Sequence, residues 1–122
     1  MNQESQTWPT EIRLKKGNQQ LAVTFNDGAA YELEAELLRV MSPSAEVQGH
    51  SPDQKKTVAG KRNVQIIQVL PVGNYAVRLV FDDLHDTGIF SWVFLRRLGD
   101  TQVKAWADYE AELEAKDLSR DP

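Results

Sequence analysis

Asp82, Asp83, His85 and Asp86 lie within five consecutive positions. Carboxylates and an imidazole at that spacing can ligate a divalent cation, with His50 supplied from a distant loop. The competing reading is that the carboxylates cap a turn and a helix while His85 hydrogen-bonds to a loop it closes. Ser42 and Ser44 add hydroxyls for which His85 could act as base. No strand–turn–helix elbow frames them, so capping is expected instead. Lys55, Lys56, Lys61 and Arg62 crowd one segment and would attract a phosphate or an acidic protein surface. Gly49 before this segment and Gly60 within it lack the context of a phosphate-binding loop. Trp8, Trp92 and Trp106 could stack on a ligand, but their spacing along apolar faces reads as packing.

The elements that must position these groups follow from periodicity. Ile12 and Leu14 alternate with charged neighbours over residues 11–15, and Leu21, Val23 and Phe25 do so over 20–25, which predicts two strands joined at Gly17-Asn18. Asn26-Asp27-Gly28 predicts a primed hairpin turn into a third strand, 30–33, with Tyr31 and Leu33 inward. Residues 34–40 read as a short helix with early acids suited to its dipole. Residues 41–63 form a long loop carrying the basic cluster. Strands are expected over 64–70 and 74–81, with Tyr75, Val77, Leu79 and Phe81 on the buried face. A short helix over 91–98 should stop at Gly99 as a C-cap. A second helix, capped by Asp100 or Thr101, should run to about Lys116 with Val103, Trp106, Tyr109 and Leu113 on its apolar face. Strands first and helices last predict an α+β fold, a mainly antiparallel sheet with short helices and a C-terminal amphipathic helix.

Composition narrows the functions open to such a chain. It has 122 residues, 41% of them apolar, and mean hydropathy −0.48, the profile of an ordinary globular domain. With no cysteine, disulfides, iron–sulfur clusters, thiolate-bound zinc and cysteine nucleophiles are excluded. Net charge is −4, and residues 101–122 carry six acids against three bases. That sign argues against general nucleic-acid binding, which needs a surplus of Lys and Arg on one face. No run is long and apolar enough to span a bilayer, and Met1-Asn2-Gln3-Glu4-Ser5 lacks a signal pattern, so a cytoplasmic protein is expected.

Three runs carry a specific resemblance: 38–50 (LRVMSPSAEVQGH), 72–77 (VGNYAV) and 81–95 (FDDLHDTGIFSWVFL). Together they resemble the DUF971 family, the domain similar to the N-terminal domain of gamma-butyrobetaine hydroxylase. The likeness covers residues 9–98, leaving 1–8 as a flexible N-terminus and 99–122 as the C-terminal helix and tail of the same domain. In the hydroxylases the resemblance implies a zinc held by a Cys-Pro-Cys-x-x-Cys run and a later histidine. Those positions fall here on Ser42, Ser44, Val47 and His85, with Pro43 retained. Serine and valine supply no thiolate, so the resemblance implies a degenerate site and no cofactor. The oxygenase half of the hydroxylases is not part of this sequence, and hydroxylase activity is not carried over. Similar domains also occur appended to ATP-dependent iron–sulfur carrier proteins and as separate small bacterial proteins. The expectation is a non-catalytic accessory or protein-interaction domain whose partner-binding residues are Lys55, Lys56, Lys61 and Arg62. The alternative is a domain binding a divalent metal, or an oxidoreductase-associated subunit, that uses His85, Asp82, Asp83, Asp86 and His50.

Overall fold

The computed structural model describes residues 7–49 and 52–122. Strands β1 (Pro9–Lys15), β2 (Gln20–Phe25) and β3 (Ala30–Glu34) form one antiparallel sheet in that order. Helix α1 (Ala35–Val40) follows directly, then a four-residue helix α2 (Ala45–Gln48) and a 3-10 turn, Pro52–Gln54. Strands β4 (Ile66–Val72), β5 (Ala76–Phe81) and β6 (Ile89–Ser91) make a second antiparallel sheet, and helix α3 (Trp92–Ala115) completes the fold. The α+β class is as expected, with the strands divided between two sheets of three.

Period-two patterning places the core. In β2, Leu21, Val23 and Phe25 are buried, with Leu21 opposite Leu33 and Val23 opposite Tyr31 on β3. In the central strand β5, Val77, Leu79 and Phe81 are buried beside Ile66 and Phe90. Tyr75 does not join them. It lies in the turn before β5, 54% exposed, with its ring over Gly73, whose positive φ makes the turn. Ala76, out of phase with Val77, Leu79 and Phe81, is buried as well, paired with Val72 on β4 and Ser91 on β6.

Four further expectations are corrected. The turn after β2 is not primed, since among its residues only Gly28 has positive φ. Gly28 N bonds to Phe25 O and Phe25 N to Ala29 O, the pattern of a type I turn closed by a glycine bulge. Residue 8 is not frayed: Trp8 N donates to Asn26 Oδ1 and Trp8 O accepts from Asn26 N, while its ring stays half-exposed rather than packing in the core. Residues 1–6 lie outside the described residues. Val103 is 83% exposed, so the apolar face of α3 is Trp106, Tyr109 and Leu113 without it.

The fourth correction is the largest. Gly99 stops nothing, because α3 runs through it for 24 residues from an N-cap at Ser91, whose hydroxyl accepts from Phe94 N at 3.0 Å. Gly99 is needed for closeness: a Cβ there would stand 2.6 Å from Cγ of Tyr31. The helix presses on β3 at this point, with Tyr31 hydroxyl bonded to Asp100 and Arg96 stacked over both Phe25 and Tyr31.

Candidate functional site

The turn after β5 gathers the polar residues that the sequence marks. Phe81 N bonds to His85 O and Leu84 N to Phe81 O, with Leu84 at φ +73°. Asp83 Oδ1 accepts from His85 N at 3.1 Å, holding the turn in shape. This folding sends the His85 side chain inward until the residue is only 7% exposed. From the other side, the end of α1 and the start of α2 bring Ser42, Ser44 and Glu46 to it. Val47 is buried beside them in sequence, and its carbonyl accepts from Lys56 N.

His85 Nε2 lies 3.0 Å from Ser42 Oγ and 3.4 Å from Ser44 Oγ, and Nδ1 lies 3.1 Å from Glu46 Oε2. A carboxylate only accepts, so Nδ1 carries a proton, and in the neutral ring that burial favours Nε2 accepts from the Ser42 hydroxyl. Ser42, His85 and Glu46 therefore have the connectivity of a nucleophile, base and orienting acid. Access is what they lack. Ser42 is fully buried, and a Cβ on Gly88 would stand 2.2 Å from its oxygen. The cluster closes a loop and presents no hydroxyl to a substrate.

The aspartates do not converge. Asp83 Oδ2 pairs with Arg39 Nε at 2.8 Å and Lys61 Nζ at 2.7 Å. Burial would raise its pKa, but hydrogen bonds from Lys61, Arg39 and His85 N overrule it and bring the carboxyl to about 2. Asp82 accepts from Gln65 N, and Asp86 pairs with Arg78. His50 lies outside the described residues. Among the described residues no three His, Asp or Glu side chains are grouped to hold a metal ion. At the positions where the resemblance to the hydroxylases implies zinc, Ser42, Ser44, Val47 and His85 supply two hydroxyls, an imidazole nitrogen within hydrogen-bond distance of both, and a valine. That set does not fit zinc. Arg39, which sequence reasoning missed, adds a cation beside it; Glu46, also missed, lay in plain view two residues after Ser44.

The basic cluster divides into two pairs. Lys61 is committed to Asp83, and Arg62 pairs with Asp121 at 2.5 Å. Lys55 and Lys56 are exposed, and among the described residues neither meets an acid. They stand on the lip of a groove of about 310 Å³ between residues 55–58 and α3. A larger groove of about 750 Å³ runs between α3 and β3–α1, walled by Tyr31, Trp106 and a bidentate Glu36–Arg120 pair.

The family model described as gamma-butyrobetaine hydroxylase-like, N-terminal, matches residues 12–96. The chain belongs to that family. Among solved structures, this gamma-butyrobetaine hydroxylase-like N-terminal domain is similar to two proteins determined by NMR in solution. One is 47% identical with a TM-score of 0.84, over 100% of this chain and 91% of that one. The other is 46% identical with a TM-score of 0.81, over 94% and 90%. It is also similar to a crystal structure from Acidithiobacillus ferrooxidans, a DUF971 family protein described as of unknown function. That protein is 39% identical with a TM-score of 0.63, over 81% of this chain and 98% of that one. A search of curated proteins finds no match.

Proposed function

We propose that this chain is a non-catalytic accessory domain of the cytoplasm that works by binding a protein partner, the family's zinc having been replaced by a hydrogen-bonded tie. One observation carries the reading: the Ser42–His85–Glu46 cluster is closed on itself, with both Ser42 and His85 buried. Such a cluster offers no accessible hydroxyl or imidazole, and Glu46 alone reaches the surface, so what the domain offers outward is its surface. Among the described residues no helix is long and apolar enough to cross a membrane, which supports the cytoplasmic assignment.

The test is affinity capture from a lysate of the source cells, with metal analysis of the same untagged protein. The expected result is a partner retained by the parent and lost by the Lys55→Glu, Lys56→Glu variant, with far less than one zinc per chain. Stoichiometric metal that falls on replacing His85, or identical partner sets from parent and variant, would overturn the proposal.

A further inference from the structure

The two grooves differ in what their charges are doing. Around the larger one, Glu36 is held by Arg120, Arg62 by Asp121, and Asp100 by Arg96 and the Tyr31 hydroxyl. Among the described residues Glu34 is the one charged group of its lining without an ionic partner, its carboxylate accepting from Gln20 Nε2, so what is left over there is negative. Around the smaller one, Lys104 pairs with Asp108 at 2.7 Å and Lys116 with Glu112 at 3.7 Å, while Lys55 and Lys56 meet no acid among the described residues. Both stand on one lip in a chain whose net charge is −4. Met41, Val58 and Ala105 give the groove an apolar floor, and the two acids that also line it, Asp108 and Glu112, are each held by a lysine.

This lip is braced. Lys56 N donates to Val47 O at 2.7 Å, Thr57 Oγ1 to Glu112 Oε1 at 2.7 Å, and Tyr109 hydroxyl to Val58 O at 2.6 Å. A backbone pinned at Lys56, Thr57 and Val58 loses little entropy when a ligand arrives. Met41 on the floor adapts to differently shaped apolar groups.

We propose that this groove receives an acidic segment of a partner protein, with one apolar side chain on the Met41–Ala105 floor and flanking carboxylates on Lys55 and Lys56. The inference rests on the accessory reading above and names the surface and the chemistry of the partner. Charge complementarity selects the occupant: unmatched cations over an apolar floor match a segment that alternates acids with a large apolar residue. The same cations speak against a symmetric pairing of two such grooves, in which free lysines would face free lysines.

The probe is a fluorescein-labelled peptide with a single leucine between glutamates, followed by anisotropy with the full chain. Saturable binding is expected, weakening about tenfold or more between about 50 and about 500 mM salt. Lys55→Glu with Lys56→Glu should abolish it, and Lys16→Glu, a change to an exposed lysine remote from the groove, should leave it unchanged. Ala105→Trp, which fills the floor while keeping both lysines, should weaken binding about tenfold. So should replacing the peptide's leucine with alanine, a comparison that needs no altered protein. Equal binding by both peptides would reveal mere charge attraction and overturn the proposal. So would displacement of the peptide by an equal concentration of a single-stranded oligonucleotide. If the peptide fails but lysate capture still depends on Lys55 and Lys56, the accessory function stands and this groove is not its site.

Discussion

His85 shows how a single side chain changes role with its surroundings. Three neighbouring aspartates suggest a stabilised imidazolium, yet the fold shifts its pKa down from 6.5. Burial is the main cause and the Arg39 guanidinium the second; Glu46, Asp83 and Asp86 pull the other way. The unfolded chain therefore binds the proton more readily than the folded one near that value. Stability from this group is complete above pH 6.5 and is lost as pH falls toward the lowered folded pKa. Urea midpoints of the parent should be level above neutrality and decline below it. His85→Gln should cost about 1–3 kcal/mol above neutrality, because the Ser42 hydroxyl and Glu46 lose their partner. It should also flatten the decline. A variant that keeps the parent's slope would assign the titration to another group.

At the scale of elements, α3 turns on Gly99. Alanine is worth about 1 kcal/mol more than glycine in an exposed helix interior. Here the sign should reverse, because the added methyl meets the root of the Tyr31 side chain, which cannot swing away as a flexible tip would. Gly99→Ala is expected to destabilise by about 1–3 kcal/mol, read from chemical denaturation. In a Tyr31→Ala background the same change should become neutral or favourable. Destabilisation of equal size in both backgrounds would mean that the helix meets something other than that ring. The continuity of α3 has the same origin. Helix propagation through residues 98–101 outweighs one glycine's local cost when both flanks pack against sheets.

For the whole molecule, the C-terminal tail joins parts distant in sequence. Gly60 N bonds to Ser119 O and Arg62 N to Arg120 O, so residues 119–120 strap the long loop. Arg120 reaches Glu36 on α1 with bonds of 2.8 and 2.7 Å and lies over Trp106, 4.8 Å from its ring centre. Glu36 is 6% exposed, so removing its partner strands a buried carboxylate. Arg120→Ala should cost about 2–4 kcal/mol of unfolding free energy, and the double change with Glu36→Ala clearly less than the two separate costs combined. Additive costs would show that the pair contributes no coupling.

The chain's periodicity determined the strands: Leu21, Val23 and Phe25 at alternate positions have one way to be buried, and so do Val77, Leu79 and Phe81. The family runs also told which positions meet, since Ser42, Ser44 and His85 do converge. What the local pattern could not decide was anything set by a partner far along the chain. Gly99 reads as a helix stop until Tyr31, 68 positions earlier, is placed against it. Lys61 and Arg62 read as free cations until Asp83 and Asp121 arrive, and Tyr75 as core until the Gly73 turn carries it outward. The aspartates beside His85 in sequence favour its charged form, but burial and Arg39, which only the fold supplies, outweigh them. Short-range pattern fixes which face of a strand is apolar. Proton affinity and ion pairing depend on distance in space, and only the folded chain sets those distances.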